Sequence, residues 1–130
     1  MAIRVVRLGT PRHAAEGPRL GTVRRPPRGV RKSDYARLDW YDVWLPDLAP
    51  SPPLVSAALK GGDDPAAWRR FERSYRSEMK KPEPGRLLDL LAALSHHANF
   101  SVGCYCEDEQ RCHRSILRRL LDQRGAAIVR

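Results

Sequence analysis

Phe100-Ser101-Val102-Gly103-Cys104-Tyr105-Cys106-Glu107-Asp108-Glu109-Gln110-Arg111-Cys112-His113-Arg114-Ser115-Ile116-Leu117 reads as the junction of a strand and a helix. Phe100, Val102 and Cys104 share one parity, which predicts a strand over residues 100–106. Ile116, Leu117, Leu120 and Leu121 recur at helical spacing, and Gly125 supplies the stop. Ala126 to Val129 is short and aliphatic and predicts a last strand. A strand that feeds a helix through a polar loop is the repeating unit of a parallel sheet. Ligands of open sheets bind beyond the carboxyl ends of such strands, where helix N-termini present unpaired N–H groups.

The rest of the chain extends this pattern in both directions. Upstream, Leu87, Leu90, Leu91, Leu94 and Ala98 predict a helix that starts near Pro84 and runs to His96-His97. Trp68, Phe71, Tyr75 and Met79 form an aromatic stripe on another, with Asp64 as its cap, Pro65 in its first turn and Pro82 as its end. A short helix through Leu54, Ala58 and Leu59 stops at Gly61-Gly62. Ile3 to Leu8 predicts the opening strand, and Tyr41 to Leu45 a second one ended by Pro46. Between them, residues 9–33 are rich in Pro, Gly and Arg without a sustained period, which predicts a long basic loop. The expected fold is α/β: a single three-layer, Rossmann-like domain over residues 1–130, with a mostly parallel sheet covered on both faces.

A length of 130 residues fits one domain. No run approaches the roughly 18 apolar residues of a membrane span. Arg4 and Arg7 interrupt the one apolar N-terminal run, so no signal peptide is expected and the cytoplasm is the expected compartment. The three cysteines lie between positions 104 and 112, an odd number in a short stretch, which points to thiols rather than a disulfide framework. The net charge of +9 is uneven: residues 1–37 hold ten basic groups against two acids, and the remainder is nearly balanced. A basic segment of this kind attracts nucleic acid phosphates, a nucleotide or an acidic partner. Arg outnumbers Lys twenty to four over the whole chain, so a compositional bias accounts for part of it. Neither Gly-x-Gly-x-x-Gly nor Gly-x-x-x-x-Gly-Lys-Ser/Thr occurs, and no cofactor is expected.

The segment 104–115 supports three readings. In the first, Arg111, Arg114, Ser115 and the helix-start amides hold an anion beside a thiolate nucleophile. Its spacing is not that of a phosphatase or rhodanese loop, because four residues separate Cys106 from Arg111 and six separate Cys104 from it. In the second, Cys104, Cys106, Cys112 and His113 supply four zinc donors, but Cys-x-Cys on a strand sends its side chains to opposite faces unless the strand ends between them, so no metal is expected. In the third, the cysteines are small buried apolar groups and His113-Arg114 is a solvated helix start.

Four blocks resemble the YeaO-like uncharacterised family, domain of unknown function 488. They are Ile3 to Leu8, Pro27-Arg28-Gly29-Val30-Arg31-Lys32, Asp42 to Ser51 together with Trp68 to Glu78, and Cys112-His113-Arg114. The family usually has Trp before Pro-Arg-Gly, where this chain has Pro26. The resemblance implies a single α/β domain and no established reaction. It also implies that Arg28 and Lys32 belong to one ordered feature, expected to fold over His113-Arg114.

The functional expectation is an anion- or phosphate-binding pocket at the strand-to-helix junction, formed by Arg28, Arg31, Lys32, Arg111, Arg114 and Ser115. If it supports a reaction, Cys112 or Cys106 is the nucleophile and His113 the proton carrier. The partner expected is a small anionic ligand or a nucleotide, and no membrane. The alternative is a nucleic-acid-binding or nucleoprotein-associated module that uses the basic N-terminal third.

Overall fold

The computed structural model describes residues 1–129. Four strands, β1 (Ile3–Arg7), β2 (Arg19–Gly21), β3 (Val43–Trp44) and β4 (Phe100–Cys104), form one sheet in the order β1-β4-β2-β3. Every pairing is parallel, with Val5 opposite Val102, Val102 opposite Leu20 and Leu20 opposite Val43. The helices are α1 (Pro52–Gly61), α2 (Pro65–Met79), α3 (Pro82–Leu94) and α4 (His113–Gln123). The result is the single α/β domain expected, and all carboxyl strand ends lie along one edge. No described helix is long and apolar enough to cross a membrane.

Helix α2 forms where its signals lie. The Asp64 carboxylate accepts from the Ala66 amide at 3.0 Å, and Pro65 occupies the first turn. Phe71, Tyr75 and Met79 are buried, and Trp68 packs at their margin. In α3 the apolar face is set one position away from the expected stripe. Leu88, Leu91, Ala92 and Ser95 are buried, whereas Leu90 and Leu94 are 52% and 42% exposed. Five leucines in the eight residues 87–94 suit either phase, and packing against α4 selects one.

One apolar core joins Ile3, Phe100 and Val102 from the sheet to Leu48, Phe71, Tyr75, Met79, Leu88 and Leu91, and to Ile116, Leu117, Leu120 and Leu121 of α4. Tyr75 is fully buried, and its hydroxyl donates to the Leu48 carbonyl at 2.7 Å. Tyr75→Phe leaves that carbonyl without a partner and is expected to cost about 1–2 kcal/mol, read as a lower urea midpoint at unchanged slope.

The opposite sheet face is covered by loop. Arg19 and Ser101 bond Glu16, and the ring of Tyr41 lies against Gly21 so closely that a Cβ there would sit 2.3 Å from it. Three differences from expectation follow. Residues 9–33 are not all loop, because β2 lies among them as an interior strand. It is only three residues long and begins with a buried charge, so it carries no apolar alternation. The expected last strand is reduced to one isolated bridge, Ile3 to Ile128. Strand β4 stops at Cys104 rather than continuing to Cys106.

Candidate functional site

At the carboxyl edge of the sheet, Arg7 at the end of β1 and Leu8, Gly9 and Thr10 after it face Arg25, Pro26, Pro27 and Arg28 after β2, across a cleft of about 870 Å³. Trp40 and Tyr105 complete its lining, with ring centroids 5.8 Å apart in an edge-to-face pair. The Tyr105 hydroxyl donates to the Arg25 carbonyl at 2.8 Å, which ties the loop after β2 to the end of β4. Arg7 is held from behind: its Nε donates to the Tyr105 carbonyl, and Glu107 lies 3.7 Å from its guanidinium. The side chains of Arg25 and Arg28 have no ion pair among the described residues, and both residues are exposed.

Below this cleft sits a small cluster in which Leu8, Val23 and Tyr41 pack with Cys104 and Cys112. Because β4 ends at Cys104, the chain turns through Tyr105 and brings Cys106 to the same side, with Sγ of Cys104 3.8 Å from Sγ of Cys106. Cys112 is the residue before α4 and returns from a short turn at Glu109–Arg111. The three sulfurs lie within 4.8 Å of one another. All are free thiols, with Cys104 and Cys112 buried and Cys106 exposed. Cys106 is held well below the usual thiol range, because the other two thiols donate to it and because Arg114 is positive, and these effects outweigh burial. Cys104, as a donor to Cys106, is pushed up.

The helix-start residues are used internally. His113 is buried, and its Nε2 lies 2.7 Å from the Thr22 carbonyl. A carbonyl only accepts, so Nε2 carries the proton and Nδ1 is left as acceptor, 3.7 Å from Sγ of Cys112. Burial pushes His113 down to about 4, although the Thr22 carbonyl favours its charged form. Arg114 is 2% exposed, its NH2 donates to the Cys106 carbonyl at 2.6 Å, and its Nε is buried without a partner. The Ser115 hydroxyl bonds the Cys112 carbonyl within the first turn.

The expected site residues therefore divide into groups. Cys106, Cys112, His113 and Arg114 come together around the thiols. Arg28 lines the cleft, together with Arg7 and Arg25, which sequence reasoning passed over. Position alone marks Arg7, since it ends the first strand of a parallel sheet. Lys32 lines a separate depression with Tyr35, Tyr41 and Trp44, Arg31 pairs with Asp34, and Arg111 is exposed on its turn. Several N-terminal arginines are consumed inside the fold. Arg19 pairs with Glu16, Arg12 with Asp39 and Asp42, and Arg24 donates to the carbonyls of Ala49 and Pro50.

No curated protein and no solved structure matches the chain. A family model does, over residues 3–125, and it is described as DUF488-N3a, the active DUF488-N3 subclade. Since that match takes in both strands of the cleft, all three cysteines and the whole of α4, the chain belongs to the DUF488 family.

Proposed function

We propose that the protein binds a small anion bearing a phosphate or carboxylate in the cleft between the ends of β1 and β2. The observation that carries this reading is the convergence of Arg7, Arg25 and Arg28 on one concave site at the carboxyl edge of a parallel sheet. Guanidinium groups grip such anions with paired N–H donors, and the partly apolar wall of Trp40 and Tyr105 suits a flat ring attached to the anion. A mononucleotide has both features.

Thermal unfolding at fixed ionic strength, with phosphate, sulfate, mononucleotides or a short single-stranded DNA, tests the reading. A ligand at 100 times its Kd stabilises the folded state by about 2.7 kcal/mol, a shift of several degrees. That shift is expected with a small anion and is expected to vanish in Arg28→Ala, an exposed substitution that leaves the core intact. Arg114 is unsuitable as the control because it is buried. Silence from every small anion, together with a DNA-induced shift that survives Arg28→Ala, would replace this reading with nucleic-acid binding through the remaining basic surface.

A further inference from the structure

We propose that Cys104, Cys106 and Cys112 form a three-thiolate site for a thiophilic d10 metal ion of the Zn²⁺ class, with one coordination position open on the Cys106 side. The site is separate from the cleft and does not depend on what the cleft binds. With Zn–S bonds of about 2.3 Å, tetrahedral coordination separates two sulfurs by about 3.8 Å. Cys104 and Cys106 already stand at 3.8 Å, and the third sulfur completes a set within 4.8 Å. The donors are all sulfur, which selects soft and borderline cations and disfavours Mg²⁺ and Ca²⁺. Cys104 closes a central strand and Cys112 immediately precedes a helix, so two of the three donors sit on well-packed elements.

A second observation is independent of sulfur spacing. Arg114 is buried, yet no carboxylate pairs with it among the described residues, and its Nε has no partner. A buried cation is costly unless negative charge lies beside it, and no carboxylate among the described residues provides it here. Three thiolates around a divalent ion carry one net negative charge, and Arg114 reaches this cluster through its bond to the Cys106 carbonyl. His113 is a supporting group rather than the fourth donor: its Nε2 proton is committed to Thr22, which fixes the ring beside Cys112.

The test uses the full chain, fully reduced and stripped with a chelator, then titrated with Co²⁺ and Zn²⁺. One Co²⁺ per chain is expected, with thiolate-to-cobalt charge-transfer bands in the ultraviolet and ligand-field bands in the visible, all displaced by Zn²⁺. Cys106→Ser removes the exposed donor and is expected to weaken Zn²⁺ binding by more than the roughly 10–100-fold typical of losing an outer-shell partner. Unchanged Zn²⁺ affinity in that variant would place the metal elsewhere and overturn the proposal. So would an absence of cobalt bands in protein whose three thiols all titrate as free. Alkylation of the unaltered chain gives a readout that needs no variant: Zn²⁺ is expected to slow modification of the cysteines, and equal rates with and without it count against the site.

Discussion

Glu16→Gln is expected to destabilise the fold by roughly 3–5 kcal/mol, the range for breaking a buried ion pair by removing one partner. Arg19 is fully buried, and its Nε and NH2 donate to the Glu16 carboxylate at 2.7 and 3.0 Å. The Ser101 hydroxyl adds a third bond at 2.6 Å. The amide variant keeps the shape but cannot accept all three, and it leaves the guanidinium of Arg19 uncompensated between the carbonyls of Thr10 and Asp39. A loss of this size is a large fraction of the roughly 5–15 kcal/mol that holds a domain together. The measurement is a urea midpoint at neutral pH. It has an acid counterpart, because burial alone would raise the pKa of Glu16, whereas the bonds from Arg19 and Ser101 lower it from 4.5 to about 2. A carboxyl group depressed in the folded state stabilises the fold above its unfolded pKa and stops doing so as pH falls through the folded one. About 3 kcal/mol is therefore expected to drain away between about pH 4.5 and pH 2, and that component is expected to be absent from Glu16→Gln.

Gly17→Ala is expected to cost a similar amount, roughly 3–5 kcal/mol, for a steric reason. Gly17 has φ +72°, a conformation that side chains disfavour, and a Cβ built there would lie 2.0 Å from the carbonyl oxygen of Asn99. That atom is backbone and belongs to the approach to the central strand, so it has no rotamer with which to retreat. Thermal unfolding of the variant is expected to fall by about 10 °C or more, given the usual entropy of unfolding for a domain of this size. A shift within about 1 °C of the parent, on that same scale, would show that the loop slides over Asn99 freely.

These two residues also show which parts of the molecule were legible in the sequence. Regular elements whose signals are local could be read: Asp64 and Pro65 opened α2 where expected, and Gly61 ended α1. Partner choice between distant segments could not. Glu16 and Arg19 looked like two charges in a basic loop, and nothing near them announces Ser101, which lies 85 positions away. For the same reason the basic third of the chain overstated its free charge, since Arg12, Arg19 and Arg24 are all spent on internal acceptors. The thiol cluster turned on one boundary. A strand running to Cys106 separates Cys104 from Cys106, and a strand that stops at Cys104 joins them, yet such boundaries shift by a residue or two with no change in apolar pattern. The cleft was legible only as a location, the carboxyl edge; that Arg7 and Arg25 line it depends on how the loop after β2 is pinned by Tyr105.

The strand order also governs when the protein can assemble. Strand β1 pairs with β4, with Ile3 opposite Phe100, and meets Ile128 in a single further bridge, while β2 takes one of its two neighbours from β4. During synthesis β1 therefore waits without a partner, and β2 with only β3 beside it, until residue 104 has left the ribosome. Closure over such sequence distances is slow, and exposed edges invite pairing with other chains in the interval. Nascent chains in which β4 has not yet emerged are thus expected to depend on chaperone capture, and chains in which β4 and α4 are both free of the ribosome to escape it.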